Sequence, residues 1–489
     1  MVNQVKLHSA YNPQKEAERF CENITGNPKI ILITEPGESY LVTPLRKKFP
    51  NTKIIAIRYT DTYFLDSDKL WDQVWRPADG NLTFFIINNV PEEFLAVSNF
   101  LSWKPAEHVW KETADFVWKN IASSLKIIQS LIATRNFFGK RWFKNITDNF
   151  LFAENIVDFN FTNIDSFFAA SGPGLEIFLN KNKPPLKNYF ITAASSAISI
   201  LNSRNIKPDI CISTDGGYWA AGHLKTIPND IITAFPAEAK IPYYILKNNP
   251  CMFLDYGSKI EKYFFEKLKI NTKKAKRNGS VSGTAAELLL DYTKGNIYTA
   301  GLDLCPSKGF AHSRPHESEK NQESSFSKLN PVSNFAAVSN MDSRSLKTYA
   351  GWFSNLPSGK ANRIFRIGDS GEKIPNIKII EAENFIKAAK PYKADKYQTT
   401  VLPYKSKAEK KLIIYDFYCM LKQNIKNTEF FEKAKTCGIE KEISEFISFQ
   451  DYIKFIKDAG TEEENKSREK LKTAILDFSE NFLKRFKDD

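Results

Sequence analysis

Cysteine is scarce in this chain and never paired in sequence: Cys21, Cys211, Cys251, Cys305, Cys419 and Cys437 are scattered through 489 residues with no Cys-x-x-Cys motif. That spacing argues against a disulfide framework and implies reduced thiols, as in a cytosolic protein. Long apolar runs are missing too. None approaches the roughly 18 residues of a membrane span, and the segment from Met1 to Lys6 lacks the basic stretch and apolar core of a secretory signal. A cytoplasmic protein without a transmembrane segment is expected. Three nucleotide and nucleophile signatures are also absent: no Gly-x-x-x-x-Gly-Lys-Ser/Thr loop, no Gly-x-Gly-x-x-Gly fingerprint and no Gly-x-Ser-x-Gly elbow occurs. P-loop NTPase, dehydrogenase and Ser-His-Asp hydrolase readings are disfavoured accordingly. No repeat at a fixed period and no low-complexity tract is visible.

Apolar residues, by contrast, are plentiful. They make up 42% of the chain, with 38 Phe, enough to build a large core and to exclude wholesale disorder. The length is too great for one ordinary domain. Lys and Arg number 69 against 56 Asp and Glu, a formal charge of +13, which favours anionic ligands. The excess lies in short runs such as Lys273-Lys274-Ala275-Lys276-Arg277 rather than in an arm. Solvated basic faces are therefore favoured over nucleic-acid binding.

The expected fold class is α/β: a Rossmann-like central domain with a mostly parallel sheet, a smaller N-terminal α/β domain and a helical C-terminal domain. Residues 1–150 form the first, with two β-like runs, Ile30 to Ile33 and Lys53 to Ile57, flanking a helical segment that ends near Lys48. Thr83 to Val90 is short enough to read as a strand. Residues from about Glu92 to Phe152 read as helical, with Trp103, Trp110, Trp118 and Trp142 on a packed aromatic face. Residues 151–390 form the central domain, where strands end in Ser171-Gly172-Pro173-Gly174, Ser195-Ser196, Thr214-Asp215-Gly216-Gly217 and Gly301-Leu302-Asp303. Tyr243 to Leu246 also reads as a strand there. Residues 391–489 comprise a linker (about 388 to 406) and helices within Lys410 to Ile425, Phe446 to Ala459 and Glu469 to Phe486.

In a doubly wound sheet, ligands lie outside the carboxyl ends of the strands, so the contents of those loops matter most. Glycine, hydroxyl and carboxylate groups gather there, and amides at a helix start suit a phosphate. A second glycine-rich segment, Asn278-Gly279-Ser280-Val281-Ser282-Gly283-Thr284, opens a helix with Ser280 and Ser282 placed to cap it or to face an anion. Beyond the next strand, His312, Arg314 and His316 share one polar segment. Histidine suits proton abstraction from an acceptor hydroxyl, and arginine suits bidentate capture of a carboxylate or phosphate. No metal site is expected: His312 and His316 have helical ligand spacing, but Pro315 breaks such a helix and no third ligand is obvious. Asp215 and Asp303 fit a divalent cation, a ribose hydroxyl or simple loop capping equally well.

The run Ser171-Gly172-Pro173-Gly174-Leu175, followed by Ser213-Thr214-Asp215, Asn278 to Leu290 and Gly301-x-Asp303-Leu304 through His312, resembles the motility-associated factor (Maf) flagellin glycosyltransferases. His8-Ser9-Ala10-Tyr11-Asn12-Pro13 and Gly368-Asp369-Ser370-Gly371-Glu372-Lys373-Ile374-Pro375 are similar to further segments of that family, so the likeness reaches to about residue 390. The resemblance implies transfer of a nonulosonic, sialic-like acid from a CMP-sugar to serine or threonine of flagellin, with no cofactor required. It also implies that Ser171, Gly172, Pro173, Gly174, Ser195, Thr214, Asp215, Gly279, Ser280, Ser282, Gly301 and Arg314 bind the nucleotide-sugar and that His312, His316 and Asp303 serve catalysis. Related sialyltransferases carry Asn at the place of Ser171 and Tyr at the place of Cys305. The same superfamily includes MptE-like enzymes that transfer diphosphate from ATP to a hydroxymethylpterin; there Mg would be needed and Asp215 and Asp303 would be its ligands. A non-catalytic binding protein of the flagellum or envelope is the third alternative.

Overall fold

The computed structural model describes residues 6–161, 165–218, 220–305, 312–317, 319, 323–324, 326–329, 331, 343–369, 371, 373–388, 397–402, 404–436 and 438–486. Cys437 and the segment 306–311 lie outside the described residues. The chain divides into two compact units, residues 1–139 with 444–477 and residues 140–443 with 478–489. The 42-residue helix Lys111–Phe152 supplies residues to both.

The first unit holds a four-stranded parallel sheet of order β3-β2-β1-β4, built from β1 (Ile30–Thr34), β2 (Lys53–Ile57), β3 (Gln73–Trp75) and β4 (Ser98–Ser102). β1 is buried on both faces, which is why it reads as the unbroken apolar run Ile-Ile-Leu-Ile rather than as an alternation. The carboxyl end of β2 delivers Arg58, fully buried, into a polar knot. Its Nη1 donates to Glu35 Oε1 at 3.0 Å and to the Gly37 carbonyl at 2.8 Å. Its Nη2 donates to the hydroxyls of Ser39 and Ser67, and its Nε to Asp68 Oδ1 at 2.9 Å. Burial pushes the Glu35 carboxyl up in pKa, and the Arg58 charge opposes that.

The second unit is organised on a sheet of eleven described strands in the order β14-β13-β12-β6-β7-β8-β9-β10-β5-β15, with β11 (Lys273–Lys274) beside β10. The central run is β6 (Ser166–Ala169), β7 (Phe190–Ala194), β8 (Ile210–Ile212), β9 (Ile232–Pro236) and β10 (Pro250–Asp255) on one side, and β12 (Ile297–Ala300), β13 (Ile364–Ile367) and β14 (Lys378–Ile380) on the other. β5 (Asn155–Phe161) pairs in parallel with β10, and β15 (Tyr397–Val401) pairs antiparallel with β5. All other pairings in this sheet are parallel. Strand order reverses between β6 and β12, the topological switch point of a doubly wound sheet. The C-terminal helices of this unit pack through aromatic rings, with Tyr418 stacked on Phe482 at 4.2 Å and Phe143 on Phe478 at 5.4 Å.

The α/β expectation holds, while several elements differ from the sequence reading. The stretch from Thr83 to Val90 is helical (Leu82–Asn89), capped by Asn81 and buried at Leu82 and Ile86, four residues apart on one face. Tyr243 to Leu246 is the start of the helix Tyr243–Asn248, which follows Pro242; a short apolar run carries no periodicity that separates the two forms. The stretch from Glu92 to Phe152 is interrupted by β4, whose residues are all half-buried because it forms a sheet edge. The supposed linker between 388 and 406 contains β15, an edge strand. Cys21, Cys211, Cys251 and Cys419 are free thiols. No described helix is long and apolar enough to cross a membrane.

Candidate functional site

Because the strands from β12 to β10 are parallel, their carboxyl ends share one edge, and the switch point brings the β6 and β12 loops side by side. The Gly172 amide donates to the Gly301 carbonyl at 2.9 Å and the Gly174 amide to Asp303 Oδ2 at 2.7 Å. Gly301 has φ +79, and a Cβ on it would lie 2.6 Å from the Ala170 carbonyl oxygen; one on Gly172 would lie 2.5 Å from Asp303 Oδ2. Both glycines are thus demanded by close backbone approach. Asp303 is buried, and its contact with Gly174 ties the start of the helix Pro173–Lys181 to the end of β12.

The 312–316 segment closes over this junction. Ser313 donates its amide to the Ser171 carbonyl at 2.8 Å and its hydroxyl to the Gly172 carbonyl at 2.6 Å. Arg314 grips Glu176 through Nη2 at 3.0 Å and Nε at 3.4 Å, so the guanidinium proposed for an anion is already engaged by a carboxylate of the adjoining helix. His312 and His316 stack at 4.6 Å between ring centroids.

A third histidine, His223, completes the cluster. It ends the short helix Ala220–His223 after β8 and lies 4.9 Å from His316 and 6.1 Å from His312. The same helix packs against the Ser195–Ala197 turn that follows β7, so the β7 and β8 loops join the same edge. Asp215 stays exposed in a local turn, its Oδ1 accepting from the Gly217 amide at 2.7 Å, and its charge acts on His223. Three of the chain's five histidines therefore meet here. His312 and His316 stand out in one polar segment of the sequence; His223 lies 89 positions before His312, and its only signal is its place beyond a strand end.

Burial holds all three imidazoles neutral. His312 is lowered from 6.5 to about 4 by burial and by the neighbouring His223, against a hydrogen bond to the Ser171 backbone that raises it. His316 is lowered to about 3 by burial, then by His312 and His223. His223 is lowered by burial, against the charges of Asp215 and Glu317. Since these folded values lie below the unfolded one, the unfolded chain binds protons first, and stability is complete above about pH 6.5 and declines as pH falls toward 4. A thermal-unfolding series from pH 7 to pH 4.5 should show the midpoint falling less steeply for His312→Gln than for the parent chain; equal slopes would count against this coupling.

The glycine-rich segment reaches the same edge. Ser280 caps the helix Val281–Tyr292, its Oγ accepting from the Gly283 amide at 3.0 Å. Thr284 meets Tyr256, just past β10, at 3.2 Å, and the helix packs on β6, β7 and β12. Gly279 takes φ +72 at the turn before the cap, and Ser282 is half-buried in the first turn. Thr214 is half-buried beside Asp215, and Pro173 opens its helix at N1. From the rear, two asparagines of the long helix latch the edge: Asn145 donates to the carbonyls of Gly216 and Glu238, and Asn149 to those of Ala237 and Ala239. No group of three His, Cys, Asp or Glu able to hold a metal ion occurs among the described residues. A cavity of about 500 Å³ lies elsewhere, in the first unit, lined by Phe20, Phe100, Leu101, Ser102 and Trp118 with Lys104 and Glu107. Lys104 and Glu107 pair with each other at 3.5 Å.

Comparison with known proteins adds three findings. Residues 140–309 match the family model described as 6-hydroxymethylpterin diphosphokinase MptE-like. An uncharacterized protein of Treponema pallidum (strain Nichols) is 37% identical over 377 residues, which span 76% of this chain and 83% of the relative. The solved structure of the Maf glycosyltransferase from Magnetospirillum magneticum AMB-1 aligns with a TM-score of 0.51 at 8% identity, covering 96% of this chain and 87% of that one. That likeness is one of fold.

Proposed function

Since the chain belongs to a Maf-like, MptE-like family, we propose that it is a glycosyltransferase that moves a nonulosonic acid from a CMP-sugar to a serine or threonine hydroxyl of flagellin in the cytoplasm. The observation that carries this reading is the junction of the β6 and β12 loops at the switch point, roofed by His312 and His316 and flanked by His223. In this reading the donor phosphate lies at the start of the helix Val281–Tyr292, where the dipole favours negative charge, since the Gly172 and Gly174 amides are already given to Gly301 and Asp303 and Pro173 has none. The acceptor oxygen attacks the anomeric carbon, the bond from that carbon to the phosphate oxygen breaks, and CMP departs. His312, held neutral, accepts the hydroxyl proton, with His316 stacked behind it. Asp303 positions the β6 loop through Gly174 rather than touching the donor. Ser195, Thr214 and Asp215 border the nucleotide along the same edge.

The transfer balances with no cofactor. The family description favours a second reading, diphosphate transfer from ATP to a pterin, which needs Mg bound by carboxylates such as Asp215. Thermal-shift measurements separate the two, since a true ligand stabilises by mass action. CMP at 100 times its Kd should add about 2.7 kcal/mol without metal. Stabilisation by ATP with Mg and not by CMP would replace the glycosyltransferase reading with the second.

A further inference from the structure

The charge that a nucleotide phosphate needs is largely spoken for at the residues named so far. Arg314 is forked onto Glu176, Lys276 is paired with Glu287 at 2.8 Å, and the Ser280 hydroxyl is used as a cap. One cation at the carboxyl edge is built differently. Arg277, in the turn just before Asn278 and Gly279, donates Nη2 to Glu238, which follows β9, and no other hydrogen bond to its guanidinium is recorded among the described residues. Its side chain is 43% exposed. The guanidinium carries five N–H donors, and Glu238 engages Nη2 alone.

This exposed group is nevertheless held in place. The Trp142 ring lies over it at 5.7 Å and the Tyr256 ring at 5.5 Å. Trp142 is wedged against Gly216, where a Cβ would lie 2.3 Å from the indole, and Tyr256 is fixed by Thr284. The loops after β8, β9 and β10 thus all contribute to one arginine seat. An arginine fixed by stacking and one carboxylate loses little freedom when it binds, and its planar fork matches two oxygens of a phosphate.

We propose that Arg277 is the anion-binding residue of this edge, receiving a phosphate of the nucleotide donor on the N–H groups that Glu238 leaves open. The assignment rests on the glycosyltransferase reading for the identity of the donor, and on the arginine seat alone for the anion. Glu261 and Glu442 are further acids whose charges bear on this cation. Glu261 is wholly buried with no hydrogen-bond partner for either oxygen, and burial followed by the Glu238 charge pushes its pKa well up. Burial likewise raises Glu442, whose carboxylate accepts from Ser258 and Ile260. Among the described residues, Glu238 is the carboxylate ion-paired with Arg277.

The test is calorimetric titration of the full chain with inorganic pyrophosphate and, separately, with CMP. R277A should weaken both by at least tenfold, R277K should recover part of the loss, and K276A, which removes an equal charge one position away, should leave both within twofold. Because R277A strands buried Glu238, the double variant R277A/E238Q is titrated alongside, and a fold confirmed by circular dichroism should show the same loss. Unchanged pyrophosphate and CMP binding in folded R277A/E238Q overturns the role of Arg277 and leaves the glycosyltransferase reading in place. Arginine-dependent pyrophosphate binding with no CMP binding keeps the anion site and overturns the CMP-sugar reading. Binding of neither probe by the parent chain overturns both.

Discussion

Arg58→Ala should destabilise the N-terminal unit by about 3–5 kcal/mol, the cost of breaking a buried ion pair from one side. The magnitude follows from what the substitution leaves behind. Glu35 is 1% exposed and Arg58 wholly buried, and the arginine satisfies five acceptors at once: Glu35, Gly37, Ser39, Ser67 and Asp68. Removing it takes the charge partner from the buried Glu35 carboxylate and a donor from the Gly37 carbonyl, each with its own desolvation penalty, while Ser39 and Ser67 keep each other, Trp71 and the Phe64 carbonyl as partners. Arg58→Lys should recover little, because an ammonium has three donors and no planar fork. Urea unfolding followed by tryptophan fluorescence measures this, since Trp71 is part of the same knot through its hydrogen bond to Ser39. A loss below about 1 kcal/mol would mean that the knot is solvated in solution.

Gly301→Ala should be nearly as damaging and should act on the candidate site. The new methyl group meets the Ala170 and Gly172 carbonyls at 2.6 and 2.9 Å in a left-handed backbone with φ +79. Strain of about 1–3 kcal/mol adds to overpacking of similar size. The β6 and β12 loops would be forced apart, so nucleotide-induced stabilisation should vanish even where the chain still folds. Gly222→Ala is the control, for nothing lies within 4 Å of its added methyl and its φ is unexceptional. Equal unfolding midpoints for the two variants would show that the two loops are not in the close contact described.

These expectations rest on elements that were unequally legible in the sequence. Strand-turn-helix units such as Ile30 to Lys48 and Ser166 to Lys181 are local: a buried strand, a glycine turn and an apolar-periodic helix announce themselves within about 20 residues. The edge strands β4 and β15 do not: β4 is half-buried throughout, and Thr400 and Val401 of β15 are exposed, so neither shows the alternation or the apolar run that marks a strand. β3, β5, β9 and β10 were equally unmarked, and Leu82–Asn89 failed in the other direction, since its apolar density hid a helical spacing of buried positions. Nothing in the linear chain indicates that residues 444–477 pack with the first unit while 478–489 pack with the second.

The loops at 171–174, 214–217 and 301–303 were legible because a parallel sheet gathers the carboxyl ends of its strands whatever its exact order. Their partners were not. His223 and Arg277 carry no motif of their own and become candidates only once β8, β9 and β10 set them at the shared edge. Conversely, Arg314 and Asp303 looked free in sequence, but the fold gives their side chains to Glu176 and to the Gly174 amide.

The central claim is that one nucleotide occupies the carboxyl edge around the junction of β6 and β12. Amide hydrogen exchange with and without CMP tests it most directly. Protection confined to residues 171–176, 214–223 and 278–284, together with the amides near 301–303, is the predicted result. CMP binding with those amides unprotected, or protection falling instead on Phe100 to Glu107 of the first unit, would contradict it.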